Sequence, residues 1–240
     1  MVPDKDKRAV KEISHLLGTC ALFGGLNADE RSAMAGRARI RVYEAGETVF
    51  TMGSPGNQLM ALLSGSIRIS VPSADGKELF LAVIPPGEMF GELAVFDGKE
   101  RSADAVAETT CTVAALDRND ILSFFERNPS AWRKLVEVLC ERLRRTDQVF
   151  AEVALLQMPA RLAKTLLRAE NWQGRAGAAK TPKIRFSQRE LANMVGGTRE
   201  RVNKCLSAWQ RDGVIKVAEG SIAIVDRGAL EKIAESSSRE

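Results

Sequence analysis

Nine positions along the chain separate a carboxylate from a guanidinium in Gly91-Glu92-Leu93-Ala94-Val95-Phe96-Asp97-Gly98-Lys99-Glu100-Arg101-Ser102-Ala103. Held in one pocket, those two groups can bind a sugar phosphate. Glu92 can accept the hydrogen bond of a ribose 2′-hydroxyl. Arg101, helped by the Ser102 hydroxyl, can grip a phosphate through two parallel charge-assisted bonds. Gly91 and Gly98 fit places where the backbone turns tightly or approaches a ligand closely. Amides of a turn opening at Gly91 and running through Leu93 would add dipoles for the anion. A Glu and an Arg at this spacing also describe an ordinary surface loop with a weak ion pair.

Composition narrows the classes that remain. With 240 residues, 45% hydrophobic and 28% charged, the chain suits one large or two modest globular domains. Its longest apolar run, Leu79 to Ile84, is far too short to span a bilayer, so no membrane association is expected. The start, Met-Val-Pro-Asp-Lys-Asp-Lys-Arg, is followed by no apolar core, and no signal peptide is expected. Cys20, Cys111, Cys140 and Cys205 form no C-x-x-C pair, which argues against disulfide staples and a thiolate metal site. No metal is expected. The single histidine, His15, leaves no Ser–His or Cys–His nucleophile pair to build elsewhere. The expectation is a cytoplasmic protein that is not an enzyme.

The net charge of +4 conceals an asymmetry. Residues 158–218 hold thirteen Lys and Arg against four acids, a net +9, leaving −5 for the rest. That split fits a basic module for a polyanion beside a module with another task, although solvated surface lysines would produce it too.

The elements that must position these groups follow from periodicity. Residues 8–36 read as short amphipathic helices around Leu16, Leu17, Leu22, Phe23 and Leu26. From Val42 to about Leu116 short strands take over. Ile67, Ile69 and Val71 alternate with Ser66, Arg68 and Ser70 as a half-buried strand, and Asp75-Gly76 signals a hairpin. Glycines recur every several residues here, which predicts a small antiparallel barrel or sandwich.

A long helix comes next, with Asn128 as N-cap and Pro129 in its first turn. Val136, Leu139, Leu143, Thr146, Phe150, Val153 and Gln157 recur at alternating steps of 3 and 4. Such a heptad seam predicts pairing with a second copy of the chain, the alternative being one helix packed on its own domain. Thr146 is polar within that seam and wants a partner, which a ligand base would supply. Asp147 would flank the interface. The helix is expected to stop before Pro159, making Gln157–Pro159 a hinge. A helix over 160–169 and a loop over 171–183 should follow.

Ser187-Gln188-Arg189-Glu190 is a capping box. The helix it opens should end at Gly196-Gly197, with Thr198 capping a second helix through Arg211 and Gly213 closing it. Val202, Leu206 and Trp209 recur at helical spacing and should face a core, leaving Arg199, Glu200, Asn203 and Lys204 outside. Two helices joined this way form a helix-turn-helix, with 214–217 and 221–225 as a β-wing.

From about residue 10 to 230 the chain resembles the bacterial transcription factors of the cyclic-AMP receptor protein/FNR family. The specific parts are the cassette at 91–103, Arg142-Leu143-Arg144-Arg145-Thr146, and Gly196-Gly197-Thr198-Arg199-Glu200-Arg201-Val202-Asn203-Lys204. The segments 43–50 and 59–65 resemble the opening of that family's β-roll. The resemblance implies an α+β fold in three parts. Residues 1–127 would be an N-terminal antiparallel β-roll binding a cyclic nucleotide, 128–158 a dimerisation helix and hinge, and 159–240 a C-terminal winged helix-turn-helix.

By the same resemblance, Gly91, Glu92, Leu93, Arg101 and Ser102 hold the ribose and cyclic phosphate, and Thr146 and Asp147 the base. Arg199, Glu200 and Lys204 would read base edges, with Arg189, Thr198, Arg201 and Asn203 completing the DNA contact. The implied ligand is cyclic AMP, with cyclic GMP the alternative. The implied partners are double-stranded DNA bearing an inverted repeat, a second copy of the chain, and RNA polymerase. Three positions depart from the family pattern. Asp147 stands where a Ser or Asn contacts adenine, Lys204 where many members have Arg, and Gln157 at the usual small hinge cap. Redox or gas sensing would want a cysteine cluster or placed histidines, and Cys20 and His15 alone supply neither. A ligand-independent regulator would not need Glu92, Arg101, Ser102 and Thr146 together. A channel or enzyme-regulatory module would leave the helix-turn-helix without a task.

Overall fold

The computed structural model describes residues 4–20, 23, 26–73, 78–176, 184, 186–218 and 220–236. Contacts divide it into two compact units, residues 1–72 with 82–143 and residues 73–81 with 144–240. The Asp75-Gly76 hairpin turn lies outside the described residues. Among the described residues, no helix is long and apolar enough to cross a membrane.

The first unit opens with α1 (Asp4–Thr19) and α2 (Ala28–Ala35), the latter started by a reciprocal Asn27–Glu30 capping box. Strands β1 (Arg39–Tyr43), β2 (Thr48–Phe50), β3 (Gln58–Ser64), β4 (Ile67–Pro72), β5 (Glu78–Ile84) and β6 (Met89–Phe90) follow. After them come α3 (Glu92–Asp97), β7 (Asp104–Ala107), β8 (Cys111–Asp117), α4 (Arg118–Arg127) and α5 (Pro129–Leu155). The strands form two four-stranded sheets, in the orders β1-β8-β3-β6 and β2-β7-β4-β5. The pairs β1–β8, β3–β8, β3–β6, β2–β7 and β4–β7 are all antiparallel.

Strand β3 shows why this arrangement is stable. Leu59, Ala61 and Leu63 project into one cluster with α1, α2, α4 and the start of α5, while Met60 and Leu62 project into the other, between the sheets. Successive side chains point to opposite faces, so a strand covered on both faces reads as the unbroken run Leu-Met-Ala-Leu-Leu. Alternation in β4 is less clean than its sequence predicts. Ser70, expected outside, is buried, whereas Val71 is only half-buried. Its short side chain sits on a strand flanked on both sides, by β7 and β5.

Asn128 does not cap α5 with its side chain. Its Nδ2 donates back to the Phe124 carbonyl at 3.0 Å and closes α4, while its carbonyl accepts the Ala131 amide at 2.9 Å and the fixed φ of Pro129 opens the next helix. Along the 27 residues of α5, Val136 (55%), Leu143 (61%), Phe150 (75%) and Val153 (48%) are exposed. Leu139 packs partly against the first unit's core.

The second unit continues with α6 (Met158–Ala176), α7 (Gln188–Val195), α8 (Arg199–Arg211), β9 (Ile215–Ala218), β10 (Ser221–Ile224) and α9 (Arg227–Glu235). The break between α5 and α6 falls at 156–157, and Pro159 lies in the first turn of α6. Against the expectation of a loop from residue 171, α6 runs on to Ala176. One glycine, Gly174, costs a propagating helix only about 1 kcal/mol relative to alanine, too little to end it. Glu152 near the end of α5 receives Arg168 at 2.8 Å and Lys164 at 3.6 Å, a clamp across the joint.

Helices α6 and α8 and the wing bury Leu162, Leu166, Val202, Leu206, Trp209, Ile215 and Ile222. Ile184 makes an isolated antiparallel bridge to Ile222 of β10. Helix α9, unexpected from the sequence, is capped by Asp226, which accepts from the Ala229 amide at 2.9 Å. It buries Leu230 and Ala234.

Candidate functional site

The cassette is built by topology that brings two loops against α3. Arg101 donates its amide to the Ser54 carbonyl and receives the Gly53 amide on its own carbonyl, both at 2.9 Å. Gly56 lets the 51–57 loop touch α3, since a Cβ there would lie 2.1 Å from that of Ala94. Gly91 has φ +75°, and a Cβ on it would lie 2.4 Å from Arg101 Nη1. Only glycine meets both demands.

Arg101 is 5% exposed. Its Nη1 donates to the Gly91 carbonyl at 2.6 Å and its Nη2 to the Gln58 carbonyl at 2.8 Å. The guanidinium lies 4.2 Å from the centre of the Phe50 ring, and its buried Nε has no partner. Burial pulls the Arg101 guanidinium below its ordinary value, and the Glu92 carboxylate opposes that shift. Arg101 is therefore a buried structural link as well as the candidate phosphate ligand.

Glu92 is 4% exposed, and its Oε1 lies 2.6 Å from Arg142 Nη1. Arg142 also donates to the Met89 carbonyl. One carboxylate oxygen is thus held by α5 while Oε2 can still accept a hydrogen bond. Ser102 is exposed and Leu93 is 47% exposed. Residues Gly91, Glu92, Arg101 and Ser102 come together as the spacing predicts. Arg142, Phe50 and Gln58 were not singled out as site residues. Arg142 lies four positions before Thr146, on the same helix face, which is a legible signal. Phe50 and the Gln58 carbonyl join through strand pairing alone.

Thr146 and Asp147 lie on α5 within the second unit, both exposed. In that unit the Ser187–Glu190 capping box forms, with bonds of 2.7 and 3.1 Å. Gly196 takes the left-handed conformation, and the Thr198 hydroxyl accepts from the Arg201 amide. Val202, Leu206 and Trp209 are buried, which leaves Arg199, Glu200, Arg201, Asn203 and Lys204 exposed on α8 and Arg189 exposed on α7. The Glu200 backbone amide, then the Thr198 hydroxyl and Arg199, hold the Glu200 carboxyl below the usual carboxylate range. It is an acceptor among cations on a convex helical face. Lys183, a basic residue of the 158–218 stretch expected with Arg189 and Arg201 to contact DNA phosphates, lies outside the described residues.

Known proteins carry both halves of this arrangement. Residues 40–128 match the cyclic nucleotide-binding domain, and residues 160–233 match the Crp-like helix-turn-helix domain. The chain is 32% identical over 219 residues to a CRP-like cAMP-activated global transcriptional regulator of Mycobacterium tuberculosis, covering 91% of this chain and 98% of that one. It is also 32% identical over 213 residues to a cyclic AMP receptor protein of Thermus thermophilus, covering 89% and 96%. Among solved structures, a CRP/FNR-family transcriptional regulator of Thermus thermophilus superposes with a TM-score of 0.71 at 27% identity, covering 83% of this chain and all of that one.

Proposed function

The chain belongs to the CRP/FNR family of cyclic-nucleotide-binding transcription regulators, and on that premise we propose that it is a homodimer that binds inverted-repeat promoter DNA when loaded with cyclic AMP. It is a regulator and not an enzyme. The observation that carries the ligand reading is the buried Arg101 with its unpartnered Nε beside Glu92, whose carboxylate is already shared with Arg142. A buried cation without a carboxylate of its own is costly, and an anionic phosphodiester relieves that cost.

In this reading Arg101 and Ser102 hold the cyclic phosphate beside Gly91 and Leu93. Glu92 accepts the ribose 2′-hydroxyl on Oε2, and Thr146 and Asp147 contact the base. Cyclic AMP is favoured by relatives whose names specify it, the Mycobacterium tuberculosis and Thermus thermophilus proteins among them. Asp147 keeps cyclic GMP as the second reading, because its carboxylate can accept from guanine N1–H and N2–H as a pair as readily as from adenine's amine. The functional parts are taken as residues 1–127, 128–158 and 159–240, in a protein of the cytoplasm that acts with RNA polymerase.

The open seam of Val136, Leu143, Phe150 and Val153 is the surface that a second copy would cover. Ligand contacts on α5 would then set the two α8 helices at the separation of successive major grooves. That is about 34–36 Å, the spacing general to helix-turn-helix dimers, this family included. Arg199 and Lys204 would donate to guanine O6 and N7, Glu200 would accept from cytosine N4, and Arg189, Thr198, Arg201 and Asn203 would complete the contact. The expected site is an inverted repeat with G·C pairs in each arm.

Calorimetric titration with cyclic AMP and cyclic GMP, repeated with an inverted-repeat duplex present, tests the reading. Binding of cyclic AMP that tightens when DNA is present supports it. Absence of binding by either nucleotide, or affinity unchanged by DNA, refutes it.

A further inference from the structure

Helix α7 contributes a side chain that neither the charge pattern nor the spacing of α8 picks out. Gln188 Oε1 accepts from Arg199 Nε at 3.5 Å, and Gln188 Nε2 donates to Asn203 Oδ1 at 3.0 Å. Arg199 and Asn203 are four apart and share one exposed face of α8. Gln188 immediately follows the Ser187 cap, whose two reciprocal bonds fix the start of α7. A neutral amide on a fixed helix start therefore spans the first turns of the neighbouring helix.

We propose that Gln188 is a positioning residue for DNA specificity: it orients the Arg199 guanidinium for a guanine edge through a relay from Asn203. This rests on the reading of α8 as the base-reading helix. The chemistry of the guanidinium favours it. Guanine O6 and N7 are matched by the terminal Nη pair, and the third donor position, Nε, lies to the side. Gln188 engages Nε and leaves the Nη fork for the base. Its own amide cannot turn over, because Asn203 Oδ1 holds its Nε2. Asn203, accepting from Gln188 on Oδ1, keeps its Nδ2 hydrogens for an acceptor on DNA. An unrestrained arginine would spread over several rotamers at the helix N-terminus, and ordering it on binding would cost side-chain entropy.

The test is selection from a randomised duplex library by the full chain with cyclic AMP, compared for wild type, Gln188→Ala and Gln188→Glu. Thermal melting confirms that each variant folds. Gln188→Ala should lower discrimination at the single base pair read by Arg199 by roughly three- to tenfold, a fraction of what a good bidentate contact supplies. Preferences elsewhere and the salt dependence should not change, because Gln188 carries no charge. Gln188→Glu retains the acceptor for Arg199 but loses the donor to Asn203 Oδ1, so its discrimination at that base pair should fall between wild type and Gln188→Ala while all sites weaken together.

Uniform weakening in Gln188→Ala would make Gln188 a backbone contact, and an unchanged profile would make it a bystander; either overturns the proposal. A wild-type selection that returns no inverted repeat defeats the reading of α8 itself. That outcome is visible before any variant is examined.

Discussion

Replacing Arg101 by leucine should separate two roles that coincide in one side chain. Toward the ligand, the substitution removes the cation that the proposed function sets against a cyclic phosphate. Truncating one side of a desolvated charge pair costs about 2–4 kcal/mol, so the dissociation constant for cyclic AMP should rise roughly 30- to 900-fold. Toward the fold, the Gly91 and Gln58 carbonyls lose their donors, at about 1–3 kcal/mol each where they stay buried. The stack on Phe50 adds about 1 kcal/mol, and no longer burying a guanidinium offsets part of the sum. A net loss of about 2–4 kcal/mol would lower the melting temperature by roughly 5–15 °C for a chain of this size. Arg101→Lys keeps the charge but can serve neither carbonyl pair nor a bidentate phosphate as arginine does, so it should fall between parent and leucine in both measurements. Calorimetry gives the affinity and a thermal scan gives the stability. A leucine variant that binds cyclic AMP within a factor of about three of the parent would refute the phosphate role outright, whatever its melting temperature.

Arg142→Ala should strand the buried Glu92 carboxylate, weakening nucleotide binding and, more sharply, the gain in DNA affinity that nucleotide produces; paired titrations with and without duplex read both. Asp147→Ser should alter the ratio of cyclic AMP to cyclic GMP affinity, and an unchanged ratio by calorimetry would remove Asp147 from the base contact. Glu200→Ala should relax discrimination at one base pair by about 1–3 kcal/mol, whereas Arg189→Ala should weaken every site and flatten the salt dependence, both read by competition binding. The Cys20 thiol is pushed up from 9.0 to about 11, by burial and then by Glu88. Its contribution to stability should therefore be complete below about pH 9 and disappear as the pH rises to about 11, a loss of order 2–3 kcal/mol. Urea melts across that window should decline less steeply in Cys20→Ala, and equal slopes would discount the thiol.

The parts legible in the sequence are those whose partners lie close along the chain. The capping box at Ser187–Glu190, the Gly196 turn, and the core face Val202–Leu206–Trp209 depend on spacings of three or four residues, and all form. The cassette was readable because Gly91, Glu92, Arg101 and Ser102 occupy one local loop-helix-loop. What escaped was set by long-range pairing. Phe50 and the Gln58 carbonyl reach Arg101 only because β2 and β3 are folded beside α3, and no periodicity announces a carbonyl acceptor. Asn128 stands directly before Pro129 in the N-cap position of α5, but its side chain turns back to the Phe124 carbonyl, because a cap residue between two helices can serve either end. The continuation of α6 to Ala176 shows a polar, glycine-containing stretch overruled by an established helix.

Arg142 gives the site its mechanical sense. Glu92 is the cassette's only buried carboxylate among the described residues, and the residue that engages one of its oxygens is carried by α5 rather than by the roll. In the proposed function, a nucleotide taking the other oxygen would act on an ion pair whose second member is carried by α5, one turn before Thr146. A ligand shifts a conformational equilibrium only by its difference in affinity between the states, commonly about 1–3 kcal/mol. Strengthening or releasing one buried, charge-assisted contact is of that size. On that reading the Glu92–Arg142 pair would be enough to supply coupling of that size without a large rearrangement of the cassette, which the tight fits at Gly56 and Gly91 would resist.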